Sequence, residues 1–299
     1  MVRKKTTGDR IFDAMNLVFL AIFTFICIYP LWHVLCGSFS DPVLLNQHTG
    51  AIMWPLGWSL GGYKNAFANP NLIQGYLNTF FYVGFGTLVR MALTCIGAYV
   101  LSERKFMLRK PMTLLIVFTM YFSGGMIPDY LLVNAMHLTN TRWALILPLA
   151  ITTWNMIILK TAFQSVPDSL VESARLDGAS ELTTLVRVIL PVTKASIAVI
   201  TMYYVVNEWN AWFKAAIYLP AKHEYFPLQL VLRELLITNA GMSGTSLGEA
   251  TGIASVETLL LQEVTQYAVI VISTLPIIIV YPFAQKYFVK GVMMGSVKG

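Results

Sequence analysis

The fold class this sequence predicts is an all-α integral membrane protein with six transmembrane helices, and three observations predict it. Of its 299 residues, 56% are hydrophobic and only 12% are charged. The mean hydropathy is +0.63. Six apolar stretches approach the roughly 20 residues needed to cross a hydrocarbon core about 30 Å thick. A water-soluble domain covers its surface with far more charge than this chain holds.

The spans are expected at about 14–36, 77–101, 112–133, 143–163, 191–213 and 264–284. Arg3, Lys4 and Lys5 look like the start of a signal peptide. The apolar run behind them is too long for one and further spans follow, so it reads as an uncleaved first helix. Together the spans make one transmembrane domain over 1–299. Its core lies at about 77–284, a loop between the fourth and fifth spans at about 164–190, and a tail at about 285–299.

Charge sets the orientation, because Lys and Arg collect in cytoplasmic loops. With the N-terminus inside, inner segments hold Arg3, Lys4, Lys5 and Arg10, then Arg104, Lys105, Arg109 and Lys110. They also hold Lys160, Arg175, Arg187, Lys194, Lys286, Lys290 and Lys298. Outer segments hold only Lys64, Arg142, Lys214, Lys222 and Arg233. Both termini are therefore expected in the cytoplasm, with the lipid bilayer as partner. The net charge of +6 belongs to these loops, which argues against nucleic acid.

Cys27, Cys36 and Cys95 read as small apolar residues with no disulfide framework. His33, His48, His137 and His223 are scattered, so no metal site is expected.

Helix breakers interrupt three spans. Ser123, Gly124, Gly125 and Pro128 fall in the third, Pro148 in the fourth and Pro276 in the sixth. Such breaks survive in lipid only where protein or water satisfies the freed backbone. They are either packing kinks or an unwound, pore-lining hinge. Two outer segments are long. The first, 39–76, carries interfacial aromatics such as Trp54 and Trp58. The last, 214–263, centres on GMSGTS at 241–246 and is expected to be a flexible loop.

The most informative stretch follows the fourth span: VPDSLVESARLDG at 166–178. Ser169 can cap a helix and Glu172 completes a capping box. Gly178 supplies the stop. A second short helix is expected over 180–187, with Pro191 opening the fifth span. Helices this short are marginal in water, so the bundle or a second protein must hold them. Either this is an ordinary loop with Glu172 paired to Arg175, or it is a rigid knob that passes a partner's motion to the bundle.

This stretch resembles the coupling loop of ABC importer permeases, whose pattern runs E-A-A, three residues, G, nine residues, I-x-L-P. Glu172, Ser173 and Ala174 stand for E-A-A, Gly178 for the glycine, and VILP at 188–191 for the close. Ser173 and Val188 are the two departures. FSGGMIP at 122–128, WALILP at 143–148, EWNAWF at 208–213 and the tail from Lys286 extend the resemblance along most of the chain. It is to maltose-type carbohydrate permeases, on the MalG-like side, and within them to the LplC- and YtcP-like oligosaccharide group.

The resemblance implies the type I importer permease fold in a bacterial cytoplasmic membrane. Glu172, Ser173, Ala174, Asp177 and Gly178 would dock into an ATPase, and the tail, including Gly295 and Val297, would reach into the ATPase pair. Partners would be a second, MalF-like permease, two ATPase copies, an extracytoplasmic solute-binding protein and an oligosaccharide. ATP and Mg2+ would sit on the ATPase, since no G-x-x-x-x-G-K-[ST] phosphate cradle occurs in this chain. No cofactor and no catalytic residue are expected here.

Polar groups inside a membrane are costly and mark candidate positions. Asn207, Glu208, Trp209 and Asn210, with Asn155 and Trp154 as weaker candidates, supply the amide, acid and aromatic groups that bind sugars. The rival reading puts Trp209 and Trp212 in the interfacial belt and Glu208 at the water boundary. Arg90, inside the second span, must pair or snorkel, and the coupling region or a carbonyl is its expected partner. A sugar-independent channel or a membrane enzyme is the alternative class. No charge ring or filter and no converging acid, base or nucleophile favours it.

Overall fold

A computed structural model describes residues 6–148, 150–245 and 253–296, and these are helical with no strand among them. Contacts group them into two units. One holds the chain to Pro70 with Glu234–Thr274, and the other holds Asn71–Arg233 with the chain from Leu275.

In the first unit, α1 (Thr7–Ser38) starts at a capping box in which Thr6 and Asp9 satisfy each other's backbone N–H groups. Its apolar side chains are exposed along nearly its whole length, and only Cys36, Gly37 and Ser38 are buried. A helix apolar and uncovered on all sides belongs in lipid. The segment after it forms α2 (Pro42–Gln47) and α3 (Gly61–Ala68). Cys36, Leu45, Ile52 and Val264 make a small core there, while Trp54 and Trp58 stay exposed.

The second unit carries the sites. It begins with α4 (Pro70–Phe81), a π-helical turn (Tyr82–Gly86) and α5 (Thr87–Ser102). These three form one apolar run, Pro70–Ser102, which starts earlier than expected because Pro70 is a good first helical residue. Next come α6 (Arg109–Tyr121) and α7 (Met126–Ala135), bent by 116° at the break between them. Gly125 takes φ +90° with extended ψ there, a conformation that costs other residues about 1–3 kcal/mol. The break predicted at Ser123, Gly124 and Gly125 is therefore a sharp turn rather than a kink. Pro128 falls in the first turn of α7, where its missing N–H costs nothing.

The stretch expected as the fourth span is divided between α8 (Trp143–Ile146) and α9 (Thr153–Gln164), with non-helical backbone around Pro148. At 12 residues, α9 is too short alone to meet the length rule. After it come α10 (Asp168–Leu176), α11 (Glu181–Thr184), a π turn (Leu185–Ile189) and α12 (Leu190–Val192). The chain bends by 90° before α13 (Lys194–Trp209). The α14 helix (Phe213–Tyr218) and a 3-10 turn (His223–Tyr225) follow.

The α15 helix (Leu228–Thr245) runs through Gly241 and Gly244, where a flexible loop was expected. Two helical glycines cost about 1 kcal/mol each, too little to stop a helix already propagating from Leu228. Ser246 lies outside the described residues. The last helix, α16 (Ile253–Ser296), continues unbroken through Pro276 and Pro282.

Among the described residues, three helices are long and apolar enough to cross a membrane, or five if each bent pair counts as one crossing. The main core of the second unit joins α5, α9, α13 and the π turn before α12. Tyr99, Leu101, Leu159, Phe163, Leu185, Ile189, Ile200 and Tyr204 are all buried in it.

Candidate functional site

Two places in the second unit have the geometry of a site. The first is the knob built by α10 and α11. Pro167 ends the preceding turn with extended backbone and α10 begins at Asp168. Ser169 is therefore already inside the helix and makes no cap, contrary to the capping box expected with Glu172. The C-terminal stop is as expected. Gly178 takes φ +79°, its N–H donates to the Arg175 carbonyl at 3.0 Å, and the Ala179 N–H donates to the Ala174 carbonyl at 3.0 Å. These are the two bonds of a Schellman end. Ser180 caps α11 by accepting from the Thr183 N–H.

The knob is held by the bundle itself. Val171 packs against the main core. Arg175 does not pair with Glu172. Instead its guanidinium bonds to Glu103, at the end of α5, and to Glu181, at 3.2 Å, on α11. The Tyr99 hydroxyl donates to Glu181 as well. Burial alone would raise the Glu103 carboxyl, but bonds from Arg175 and the Lys105 N–H more than offset it and hold it below the usual range. Glu181 is lowered by its bonds from Tyr99 and Arg175. Both carboxylates therefore stay charged at neutral pH.

What remains outside is the surface expected to dock. Glu172, Ser173, Asp177 and Gly178 are exposed and Ala174 is half-buried. Glu172 has no ion pair or hydrogen bond among the described residues. Leu176, beside the glycine, is 89% exposed, which is costly in water unless something covers it. Gly295 lies at the end of α16, and Val297 lies outside the described residues.

The second place is a cavity of about 420 Å³ between α5, α13 and α14. Arg90 of α5 makes a buried ion pair with Glu208 of α13, and its other terminal nitrogen donates to the Leu145 carbonyl at 2.8 Å. The expectation that Arg90 meets a carbonyl is met. Its packing against the coupling region is not, because a carboxylate 118 positions away offers far more to a buried cation. Glu208 is likewise buried rather than at a water boundary.

Asn207, Glu208 and Asn210 line the cavity, joined by Thr152, Tyr204 and Lys214, which the sequence did not single out. Trp209 and Asn155 are not among its lining residues. Trp209 is 5% exposed and meets Tyr76 and Phe80 edge to face. Asn155 is buried with an Nδ2 that finds no partner among the described residues. Trp209 is thus a packing anchor. Trp209→Ala is expected to destabilise the bundle by about 3 kcal/mol or more, the usual loss for a buried large aromatic. Thermal unfolding of the purified protein measures it, and an unchanged midpoint would contradict the packing role.

Lys214 is half-buried and has no ion pair within the described residues. Glu208 and Asp129 act on it as opposite charges and Arg90 as a like charge. The cavity therefore presents amides, hydroxyls and one cation outside any ion pair among the described residues, beside an internally neutralised pair. That set offers hydrogen bonds and positive charge, and contains no grouping for a metal among the described residues.

A family model described as "Binding-protein-dependent transport system inner membrane component" matches residues 2–294. The chain is 39% identical to the polygalacturonan/rhamnogalacturonan transport system permease protein YtcP of Bacillus subtilis, over 97% of this chain and 99% of that one. It is also 39% identical to protein LplC of the same organism, over 98% and 97%. Among solved structures it superimposes with a TM-score of 0.85 on a chain of a bacterial ABC transporter involved in the import of the acidic polysaccharide alginate. Identity there is 30%, covering 96% of this chain and 100% of that one.

Proposed function

Because the chain belongs to the family of binding-protein-dependent transport system inner membrane components, we propose that its α10 knob is the joint through which an ATPase drives the bundle. The chain is a permease subunit of an ABC importer for oligosaccharides and is not itself an enzyme. It works as a multi-pass membrane protein with an ATPase and a solute-binding protein as partners.

One observation carries the joint. An exposed helix presents an uncommitted carboxylate at Glu172, an uncovered Leu176 and a left-handed Gly178 on one side. Its other side is fastened to the main core by Val171 and Arg175. A push on the outer side cannot be absorbed by a loose loop, so it reaches α5 and α13. In this reading the α10 side is cytoplasmic, both termini lie there, and six crossings include a broken fourth one through α8 and α9. A second, related permease completes the path, two ATPase copies carry ATP and Mg2+, and the end of α16 adds a contact near Gly295 and Val297. Glu172→Cys should cross-link to the ATPase in the assembled transporter, with or without substrate. Labelling of that cysteine from the extracellular side of intact cells would overturn both docking and orientation.

The cavity at Arg90, Glu208, Asn207 and Asn210 is proposed as part of the substrate path. Lys214 favours oligosaccharides with carboxylate groups, in line with the substrates named for the polygalacturonan permease and the alginate importer. Lys214→Gln is expected to raise the KM for an acidic oligosaccharide about tenfold, the loss of one charge-assisted hydrogen bond. Lys214→Arg should restore it and uptake of neutral sugars should not change. Equal loss for both sugar classes would rule out charge recognition.

A further inference from the structure

Two basic side chains on the α10 end of the bundle have an acid beside them. Arg104 pairs with Asp168 at 3.0 Å, and Arg175 pairs with Glu103 and Glu181. Arg109, Lys110 and Lys160 do not. They line a separate groove of about 300 Å³ with Thr113, Leu114 and Val117, and none of the three makes an ion pair among the described residues. The Lys160 ammonium donates to the Thr113 hydroxyl at 3.0 Å, which ties α9 to α6 and fixes the cation over the groove. Three cations held together without an acid repel one another, so the cluster gains stability from a bound anion.

The surroundings say which anion. Arg109 is the first residue of α6, and Lys160 stands one turn before the end of α9. Both therefore sit at the end of the bundle where α10 lies. From Thr113 the groove runs one turn along α6, past Val117 and past Leu114, which is 73% exposed. Polar contacts at the mouth and a strip of apolar side chain leading toward the bilayer centre match a headgroup with a chain below it. A small soluble anion has no use for that strip.

We propose that this groove binds the phosphate of an anionic phospholipid from the leaflet on the α10 side, with an acyl chain along Leu114 and Val117. Arg109 and Lys160 grip the phosphate oxygens, Lys110 adds charge at the rim, and the lipid neutralises the seam between α6 and α9. The site depends only on these helices crossing a bilayer, so its failure would leave the permease reading untouched.

Native mass spectrometry of the purified transporter, supplied with phosphatidylglycerol or phosphatidylcholine, tests it. Phosphatidylglycerol should be retained in preference to phosphatidylcholine. Arg109→Gln combined with Lys160→Gln should lower that retention about 25-fold, from two charges worth about fivefold each. Lys160→Arg should retain it. If the double variant does not accumulate, Lys160→Gln alone should show about a fivefold loss. Equal retention of the two lipids, or undiminished phosphatidylglycerol on the charge-removed variants, overturns the proposal. So does displacement of phosphatidylglycerol by inorganic phosphate, which would mark a site for a free anion.

Discussion

Gly178→Asp abolishes uptake while the protein still reaches the membrane in near-normal amount. The expectation follows from where the new side chain would point. A Cβ on Gly178 meets no atom of this chain within 4 Å, so aspartate creates no clash inside the bundle. The residue stands at φ +79°, which aspartate tolerates better than most side chains. Folding is therefore affected by about 1–2 kcal/mol at most, and the main damage falls on whatever approaches the knob from outside. An anion and four extra heavy atoms appear beside Glu172 and Leu176, where close contact is required. ATPase should no longer copurify. Gly178→Asn, which is similar in size and neutral, should retain more uptake than the aspartate. Normal uptake by Gly178→Asp would remove the knob from the mechanism.

Arg90→Leu carries the second large effect. It leaves the Glu208 carboxylate buried without its cation and takes a donor from the Leu145 carbonyl. Breaking one side of a buried pair costs about 3–5 kcal/mol, whereas replacing both sides by apolar groups of similar volume is often neutral. The single variant should lose most of its thermal stability in detergent and its uptake with it. Arg90→Met combined with Glu208→Leu should regain the stability and still fail to transport, because the charged pair in the cavity lining is gone. A single variant as stable as the parent would show that Glu208 takes up a proton or another partner without strain. Recovery of uptake in the double variant would show that the pair serves packing alone.

Local signals in the sequence read correctly and distant ones did not. The first helix, the start of α11 at Ser180 and the end of α10 at Gly178 depend on neighbours a few positions apart. The N-terminal end of α10 was misread because Pro167 fixes the helix start one residue before Ser169, and an extended proline competes well with a serine cap. The turn after α6 was visible as two glycines, but its 116° angle depends on Gly125 taking a positive φ. The α15 helix overrode a glycine-rich stretch because propagation outweighs a small local penalty. Arg90 and Glu208 were each flagged as costly intramembrane charges, yet nothing in the order of residues pairs positions this far apart. Lys214 was counted as a loop charge, since its place beside the cavity depends on the fold of α14. Trp209 carried the right chemistry for a sugar platform, and packing on Tyr76 and Phe80 used it for something else.

The fastening of α10 has a consequence for how the transporter behaves in different media. Its inner clasp, Arg175 with Glu103, lies three-quarters shielded, at 25% and 24% side-chain exposure, while the outer pair Arg104 and Asp168 stands at 72% and 60%. Dissolved ions screen open charges beyond about 8 Å at physiological strength and reach sheltered ones far less. Rising salinity therefore slackens the outer pair first and leaves the inner one taut. Force delivered to the knob continues to arrive at α5 in brine as in dilute buffer.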